Sequence, residues 1–426
     1  MAALVLACLF GDNDSVLDDE ITTNDIGYDS PVKTLSPKPS FGCLSYSKSY
    51  SPTDKVQPLS NDAILRSLEN VVPEYLANIA SPPPSSFTGA SSEKQMRKQI
   101  KAFNLKRTSA LQKLHELTTK SLEHNRIPLV QTDKWNIVSA LSMTLIESCQ
   151  NGAGPNNKNL DENRRLICWT MNNLSIPYEN KAKMILDDKC TILQALTMVI
   201  RLDLPEAYIA CICINNLTFL AGAIRPVTFF VPPVDDDDSY HFKTNGLRTL
   251  SATKSEEKMK KFEAVLGNPS SLICTIERMM VNNAPYLLSD VKSVQGEAIR
   301  WACGFIRNVT SGGDKQLNSS VISTTSPRGR KGSISNESIQ DICLLISRTK
   351  IPKMVVKFLR DSPNAPVRWT RDSLEDLCLC IMCNIARFSS RESLLHAGAI
   401  ECLEQIEALP GIHGYRARAI LVSLES

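Results

Sequence analysis

The chain has 426 residues, of which 42% are hydrophobic and 22% charged, and its formal net charge at pH 7 is +3. This length and composition allow a large buried core, whereas a charge so close to zero provides no overall field to attract nucleic acid or an anionic membrane. The sequence has no run of 18 or more apolar residues, so no transmembrane helix is predicted.

The first 60 residues are predicted to be a disordered tail. They are rich in Ser, Pro, Asp and Thr and contain few large apolar side chains, so too little surface can be buried to offset the entropy of ordering. The apolar start, Ala2–Phe10, has no basic flank and runs directly into Asp12 and Asp14, so it is not expected to act as a secretory signal.

Residues 61–80 are predicted to form an isolated amphipathic helix. Apolar residues recur at helical spacing through this segment, with an interruption at Pro73. Such a helix either docks on the rest of the chain or binds a partner.

A basic stretch follows at Glu93–Arg126, where nine lysines and arginines outnumber three glutamates. Its apolar residues also recur at helical spacing. Two interpretations are open: the stretch is an electrostatic patch for phosphates or for an acidic partner, or it is the solvated side of the first helix of a helical array.

A nine-residue phrase occurs four times in the remainder of the chain. Each copy has Met or Ile two residues before an asparagine, Leu, Val or Ile directly after it, and then Ser, Thr or Ala. The copies are Ile167–Ser175, Ala210–Thr218, Ala302–Thr310 and Cys378–Ala386, and they align on Asn173, Asn216, Asn308 and Asn384. The first two asparagines are 43 residues apart, and the longer gaps contain segments of different composition at about 225–255 and 311–338. A repeat with two long insertions is therefore predicted.

The residues between the phrases have helical periodicity. Within Thr191–Leu202, apolar residues recur at i, i+3 and i+4 from Ile192 to Ile200, which places them on one stripe of a helix. No segment shows the alternation of apolar and polar residues that is typical of a β-strand. An all-α fold is therefore predicted.

The order of a long helix, a short helix and a second long helix, with N-[LIV]-[ST] at the end of the first, resembles the armadillo repeat. The closest stretches are Cys168–Ile185 and Ile381–Ile406. The resemblance covers roughly residues 161–426, and a degenerate unit is expected before it because Asn136–Met143 parallels Thr191–Met198, so the array would span 91–426. The resemblance implies a right-handed armadillo-like superhelix of three-helix repeats, with a HEAT-like or irregular α-solenoid as the alternative.

The armadillo resemblance implies a non-catalytic scaffold that binds extended or helical segments of partner proteins in a concave groove lined by the third helices. The four asparagines of the phrases occupy the position whose amides hold a bound peptide backbone in importin alpha and beta-catenin, since an amide offers both a donor and an acceptor. Alternatively, these amides cap their own helix or bond a neighbouring turn. Trp169 and Arg307 are the other predicted groove residues.

A nucleocytoplasmic transport adaptor of importin-alpha type, which recognises basic signals, is the alternative function. In importin alpha a tryptophan four residues before the asparagine stacks on lysine side chains of the cargo. Here only Trp169 and Asn173 have that spacing, and the equivalent positions elsewhere are Ile212, Gly304 and Cys380.

No catalytic or metal-binding motif accompanies the repeats. The chain has no P-loop, GxSxG, GxGxxG or HExxH sequence, and its five histidines are scattered, so catalysis, a cofactor and a small-molecule substrate are not expected. Cys378, Cys380 and Cys383 lack a fourth convergent ligand, so no metal site is expected either. The fourteen cysteines are dispersed and most lie on apolar helix faces, which favours a reducing compartment, that is, the cytoplasm and/or the nucleus.

The two insertions differ in charge. The first contains the acidic run Asp235–Asp238, and the second contains SPRGRKGSIS, in which Ser326 and Ser333 are candidate phosphorylation sites. Phosphate at either serine would add a charge of about −1.5 to −2 and change the local sign of charge.

Overall fold

The computed structural model describes residues 61–81, 93–150, 158–186, 191–233, 254–288, 293–312, 336–361, 374–388, 391–409 and 411–425. Within these ranges the chain forms nineteen α-helices and two 3-10 helices and contains no β-strand, so the prediction of an all-α fold is confirmed for this part. The predicted tail 1–60, the acidic run Asp235–Asp238, Ser326 and Ser333 lie outside the described residues. None of the described helices is both long enough and apolar enough to span a membrane.

The helices follow one another along the chain in six units, each with a first, a second and a third helix. Unit 1 contains α1 (Asn61–Glu69), α2 (Val72–Ala80) and α3 (Glu93–Glu116); unit 2 contains α4 (Arg126–Gln131), α5 (Ile137–Gln150) and α6 (Lys158–Ser175); unit 3 contains α7 (Tyr178–Leu186), α8 (Thr191–Arg201) and α9 (Ala207–Leu217). Unit 4 contains α10 (Ala221–Thr228), an additional helix α11 (Lys254–Leu266), α12 (Leu272–Asn283) and α13 (Val294–Ser311). Unit 5 contains α14 (Asn336–Ser347), α15 (Ile351–Asp361) and α16 (Leu374–Arg387), and unit 6 contains α17 (Arg391–His396), α18 (Ala399–Glu407) and α19 (Ile412–Glu425). The 3-10 helices are Lys120–Asn125 and Ala284–Leu288.

Corresponding helices of successive units lie side by side. The third helices contact one another in the order α3, α6, α9, α13, α16 and α19, and the second helices in the order α2, α5, α8, α12, α15 and α18. The first helices do the same from α1 through α4, α7 and α10 to α14. Each unit therefore packs on the unit before it and the unit after it.

Apolar side chains at helical spacing fill the contacts between these helices. Ile192 and Val199 of α8 are fully buried, as the periodicity predicted, and each such side chain contributes roughly 1.5–3 kcal/mol on burial. Cys168 of α6 and Cys211 of α9 are also fully buried, and burial raises the pKa of both thiols. They therefore pack as small neutral apolar groups.

Three buried charged side chains lie at the junction of units 2 and 3. Arg164 of α6 lies with its Nε 3.6 Å from Oε2 of Glu206, which precedes α9, and both side chains are at most 5% exposed. Burial raises the pKa of the Glu206 carboxyl. Lys181 of α7 is also buried, and its Nζ donates to the carbonyl oxygens of Ser175 at 2.6 Å and Ile176 at 3.3 Å, so it caps the end of α6.

The prediction of an isolated helix at residues 61–80 is wrong. The segment forms two helices, and α2 contacts both α3 and α5, with its side chains Val72 and Ile79 fully buried. The break lies before Pro73 and not at it, since proline fits the first turn of a helix, where its missing N–H is not needed. Among the residues that the structure describes, the helical units therefore begin at residue 61, ahead of the predicted start at 91.

The predicted start of the first insertion is also wrong. Arg225 lies inside α10, which continues to Thr228, so the departure from the repeat comes later than the composition suggested. Residues 234–253 of this insertion and residues 313–335 of the second one lie outside the described residues.

Candidate partner-binding surface on the third helices

The four repeated phrases lie at the C-terminal ends of α6, α9, α13 and α16, which are consecutive neighbours among the third helices. The apolar residues two before and one after each asparagine point into the core and are fully buried: Met171, Leu174, Ile214, Leu217, Ile306, Val309, Met382 and Ile385. The asparagines therefore stand at equivalent positions on adjacent helices.

The amide nitrogens of these asparagines bond backwards to the preceding third helix. Asn173 Nδ2 donates to Thr118 Oγ1 at 3.2 Å, just after α3, and Asn384 Nδ2 donates to Thr310 Oγ1 of α13 at 3.1 Å. Both hydroxyls are fully buried. Each hydroxyl also donates to a carbonyl of its own helix, Thr118 at 2.8 Å to His115 and Thr310 at 2.8 Å to Ile306. The result is a hydrogen-bond ladder from amide to hydroxyl to helix C-terminus.

The two central asparagines vary this pattern. Asn216 Nδ2 donates to Asn172 Oδ1 at 3.0 Å. Asn308 Nδ2 lies 3.1 Å from both the carbonyl oxygen and Oδ1 of Asn215, and 3.4 Å from Thr218 Oγ1. All four amides therefore bond a neighbouring turn, which is one of the two arrangements that the sequence left open.

The amide oxygens are not equivalent. Asn308 is 4% exposed, and its Oδ1 accepts from Arg307 Nη2 at 3.1 Å and Nε at 3.3 Å, so both ends of this amide are engaged internally. Asn173, Asn216 and Asn384 are half-buried, and within the described part of the chain no donor reaches their Oδ1 atoms. Only these three present an acceptor that a partner can use.

Aromatic side chains lie on the same helices, one to two turns before the asparagines. The half-buried ring of Trp169 packs edge to face against Tyr208 of the next third helix, with centroids 6.1 Å apart. Trp301 of α13 is half-buried as well, and the guanidinium of Arg300 lies 4.7 Å from its ring centre. We call the surface that contains Trp169, Asn173, Tyr208, Asn216 and Asn384 the third-helix surface.

Sequence reasoning selected Trp169 but missed Tyr208, although a signal exists. Tyr208 precedes Asn216 by eight residues, which returns to the same helical face after about two turns. It also missed a fifth, variant copy of the phrase at the end of α3, where Glu116, Leu117 and Thr118 stand in the places of Asn, Leu and Ser/Thr. This copy was not recognised because a glutamate stands at the position of the asparagine.

No family model matches this chain, and no curated protein is significantly similar to it. Among the described residues, no three His, Cys, Asp or Glu side chains converge as a metal site. The third-helix surface offers amide oxygens and aromatic rings.

Gly304 explains why a tryptophan does not stand four residues before every asparagine. A Cβ at this position would lie 2.8 Å from Asn215 Oδ1, the atom that accepts from Asn308. The close approach of α9 to α13 therefore favours glycine here and leaves no room for a tryptophan like Trp169.

Proposed function

We propose that residues 61–425 form an armadillo-like array whose third-helix surface binds extended segments of partner proteins without catalysing a reaction. The repeated order of three helices and the side-by-side contacts of corresponding helices support the array. Arrays of stacked repeats build long continuous surfaces, and such surfaces suit extended ligands. The right-handed superhelix and the location in the cytoplasm or nucleus stay predictions from the sequence.

The observation that carries this proposal is the row of unused acceptors beside the aromatic pair. Because the amide nitrogens hold the preceding helix, the Oδ1 atoms of Asn173, Asn216 and Asn384 are left to accept from peptide N–H groups. Every residue except proline carries such a donor, so the contact tolerates many side chains. Trp169 and Tyr208 add apolar area for the partner's side chains.

The charges favour a general scaffold over an adaptor for basic signals. An adaptor of that kind needs free carboxylates beside its tryptophans. Glu162 lies 2.5 Å from Arg165, and Glu297 lies 3.9 Å from Arg300, so both carboxylates are already paired with arginines of the same helices. The crowding at Gly304 also excludes the tryptophan–asparagine pairing from unit 4.

Site-specific photo-cross-linking in cells tests the proposal with whichever partner the cell supplies. A photoreactive residue replaces Arg165, which is exposed one turn before Trp169, or Arg201, which is exposed at the end of α8 on a second helix. We expect protein adducts from position 165 and not from position 201. The adducts should disappear in the W169A/Y208A variant.

A matched control is Tyr286→Ala, which removes an aromatic side chain that is 48% exposed outside the third helices. This variant should keep the adducts. Identical adducts from positions 165 and 201, or adducts that persist in W169A/Y208A, would show that the third-helix surface is not the binding surface.

A further inference from the structure

Helix α3 differs from the other third helices because its first half packs only loosely on the rest of the described structure, with Phe103 and Asn104 half-buried. It is 24 residues long, but from residue 95 to residue 106 no described side chain is buried, and burial begins only at Arg107. Most of the stability of a helix in a protein comes from tertiary packing, so a partner that packs on this half of α3 would stabilise it.

The positive charge of the lysines in the first half of α3 is not balanced by carboxylates. No carboxylate occurs between Glu93 and Glu116. Lys98, Lys101 and Lys106 are exposed, and none of the three forms an ion pair with any described residue. Arg107, one residue further on, behaves differently.

The Arg107 guanidinium lies 3.3 Å from Glu147 and donates to the carbonyl oxygen of Ser81 at 2.6 Å. It therefore belongs to the packing of unit 1 against unit 2. Burial along α3 begins at Arg107, and the three exposed lysines all precede it. The lysines are therefore not needed to hold α3 in place.

Two large apolar side chains lie among these lysines. Leu105 is 70% exposed and Ile100 is 39% exposed. Lys98, Lys101 and Leu105 are spaced i, i+3 and i+7, so they share one helical face. We call Lys98, Lys101, Leu105 and Lys106 the α3 face, whereas Ile100 lies on the opposite side of the helix.

We propose that the α3 face binds an acidic protein segment that also carries an apolar side chain. The carboxylates would pair with the three lysines, and the apolar side chain would cover Leu105. The proposal rests on the proposed function, because α3 is the first of the third helices and the α3 face lies on the same series of helices as the third-helix surface.

The composition of the α3 face favours a protein over other anionic partners. A membrane-bound helix needs a broad apolar face, and here only two large apolar side chains are exposed. A nucleic acid backbone supplies phosphates for the lysines but no apolar group for Leu105. An acidic segment with one apolar residue satisfies both features.

The test measures the affinity of the full chain for defined probes by fluorescence anisotropy. The soluble probes are an acidic peptide with one central leucine, the same peptide with alanine in place of the leucine, and a DNA duplex. Binding to phosphatidylserine vesicles is measured by co-sedimentation. We expect the leucine peptide to bind best. The variant K98Q/K101Q/K106Q should weaken its binding about tenfold, because exposed ion pairs contribute modestly and additively.

The matched control variant is K260Q/K350Q/K353Q, which removes three exposed lysines outside α3 and should leave the affinity unchanged. Leu105→Ala should weaken the leucine peptide and not the alanine peptide. Equal binding of the two triple variants, or tighter lysine-dependent binding of DNA or vesicles than of the peptide, would overturn the proposal.

The cross-linking experiment separates this inference from the proposed function. Suppose that W169A/Y208A removes the partner adducts at position 165. If K98Q/K101Q/K106Q then leaves both these adducts and peptide binding unchanged, only the proposal for the α3 face fails. If peptide binding depends on the α3 lysines but position 165 gives no specific adduct, the proposed function fails and the α3 face stands alone.

Discussion

Asn308 should matter more for folding than the other asparagines of the ladder. In Asn308→Ala the Oδ1 atom of Asn215, which is 3% exposed, loses its donor at 3.1 Å, whereas the carbonyl oxygen of Asn215 still accepts from Thr218 Oγ1 at 2.9 Å. A buried polar group left without a partner costs about 1–3 kcal/mol, so we expect a loss of about 2 kcal/mol in the free energy of unfolding. Asn173→Ala removes a single bond from a half-buried side chain and should cost about 1 kcal/mol.

Urea denaturation followed by circular dichroism measures this difference directly. Asn308→Asp is an informative companion, because it keeps the volume but places a second acceptor against Asn215 Oδ1, so it should be at least as destabilising as alanine. Equal losses for Asn173→Ala and Asn308→Ala, or an Asn308→Asp variant as stable as the wild type, would refute the assignment of Asn308 to an internal role.

Three other predictions concern the packing of the units. Burial lowers the pKa of Lys181 from 10.5 to about 8, so the unfolded chain binds more protons than the folded protein between these pH values. The free energy of unfolding of the wild type, compared with that of Lys181→Met, should therefore rise by up to about 3 kcal/mol from pH 8 to pH 10.5. Parallel pH profiles of the two proteins in urea titrations would contradict this. Gly304→Ala should lower the melting temperature, because its Cβ would lie 2.8 Å from Asn215 Oδ1, and an unchanged melting temperature would show that α9 and α13 can separate freely. Arg164→Met leaves the buried Glu206 without its cation, so the free energy of unfolding measured by chemical denaturation should fall by about 3–5 kcal/mol. The double variant R164M/E206L should recover much of that loss. An equal loss in both variants would argue against a buried-charge effect.

Helical periodicity was enough to predict the all-α fold of the described residues. It failed at residues 61–80, where two short helices separated by Asn70 and Val71 read as one interrupted helix. Each is too short to be stable alone, and only contact with α3 and α5 makes them part of unit 1. A local pattern does not contain that information.

The role of the asparagines could not be predicted from sequence for a similar reason. The hydroxyl that accepts from Asn173 is 55 residues away along the chain, and the one that accepts from Asn384 is 74 residues away. Whether an amide faces a partner or a neighbouring turn depends on such distant atoms. The glycine at position 304 is likewise explained only by the approach of Asn215 from another helix.

The ladder has a direction relative to protein synthesis. In the three links that end on a threonine, the hydroxyl leaves the ribosome before the asparagine that bonds it, and the longest interval, from Thr218 to Asn308, is 90 residues. At about 5–20 residues per second, the end of α9 is exposed for roughly 5–20 s before α13 is complete. A nascent chain stalled in that interval would carry an uncapped helix end that a chaperone can reach.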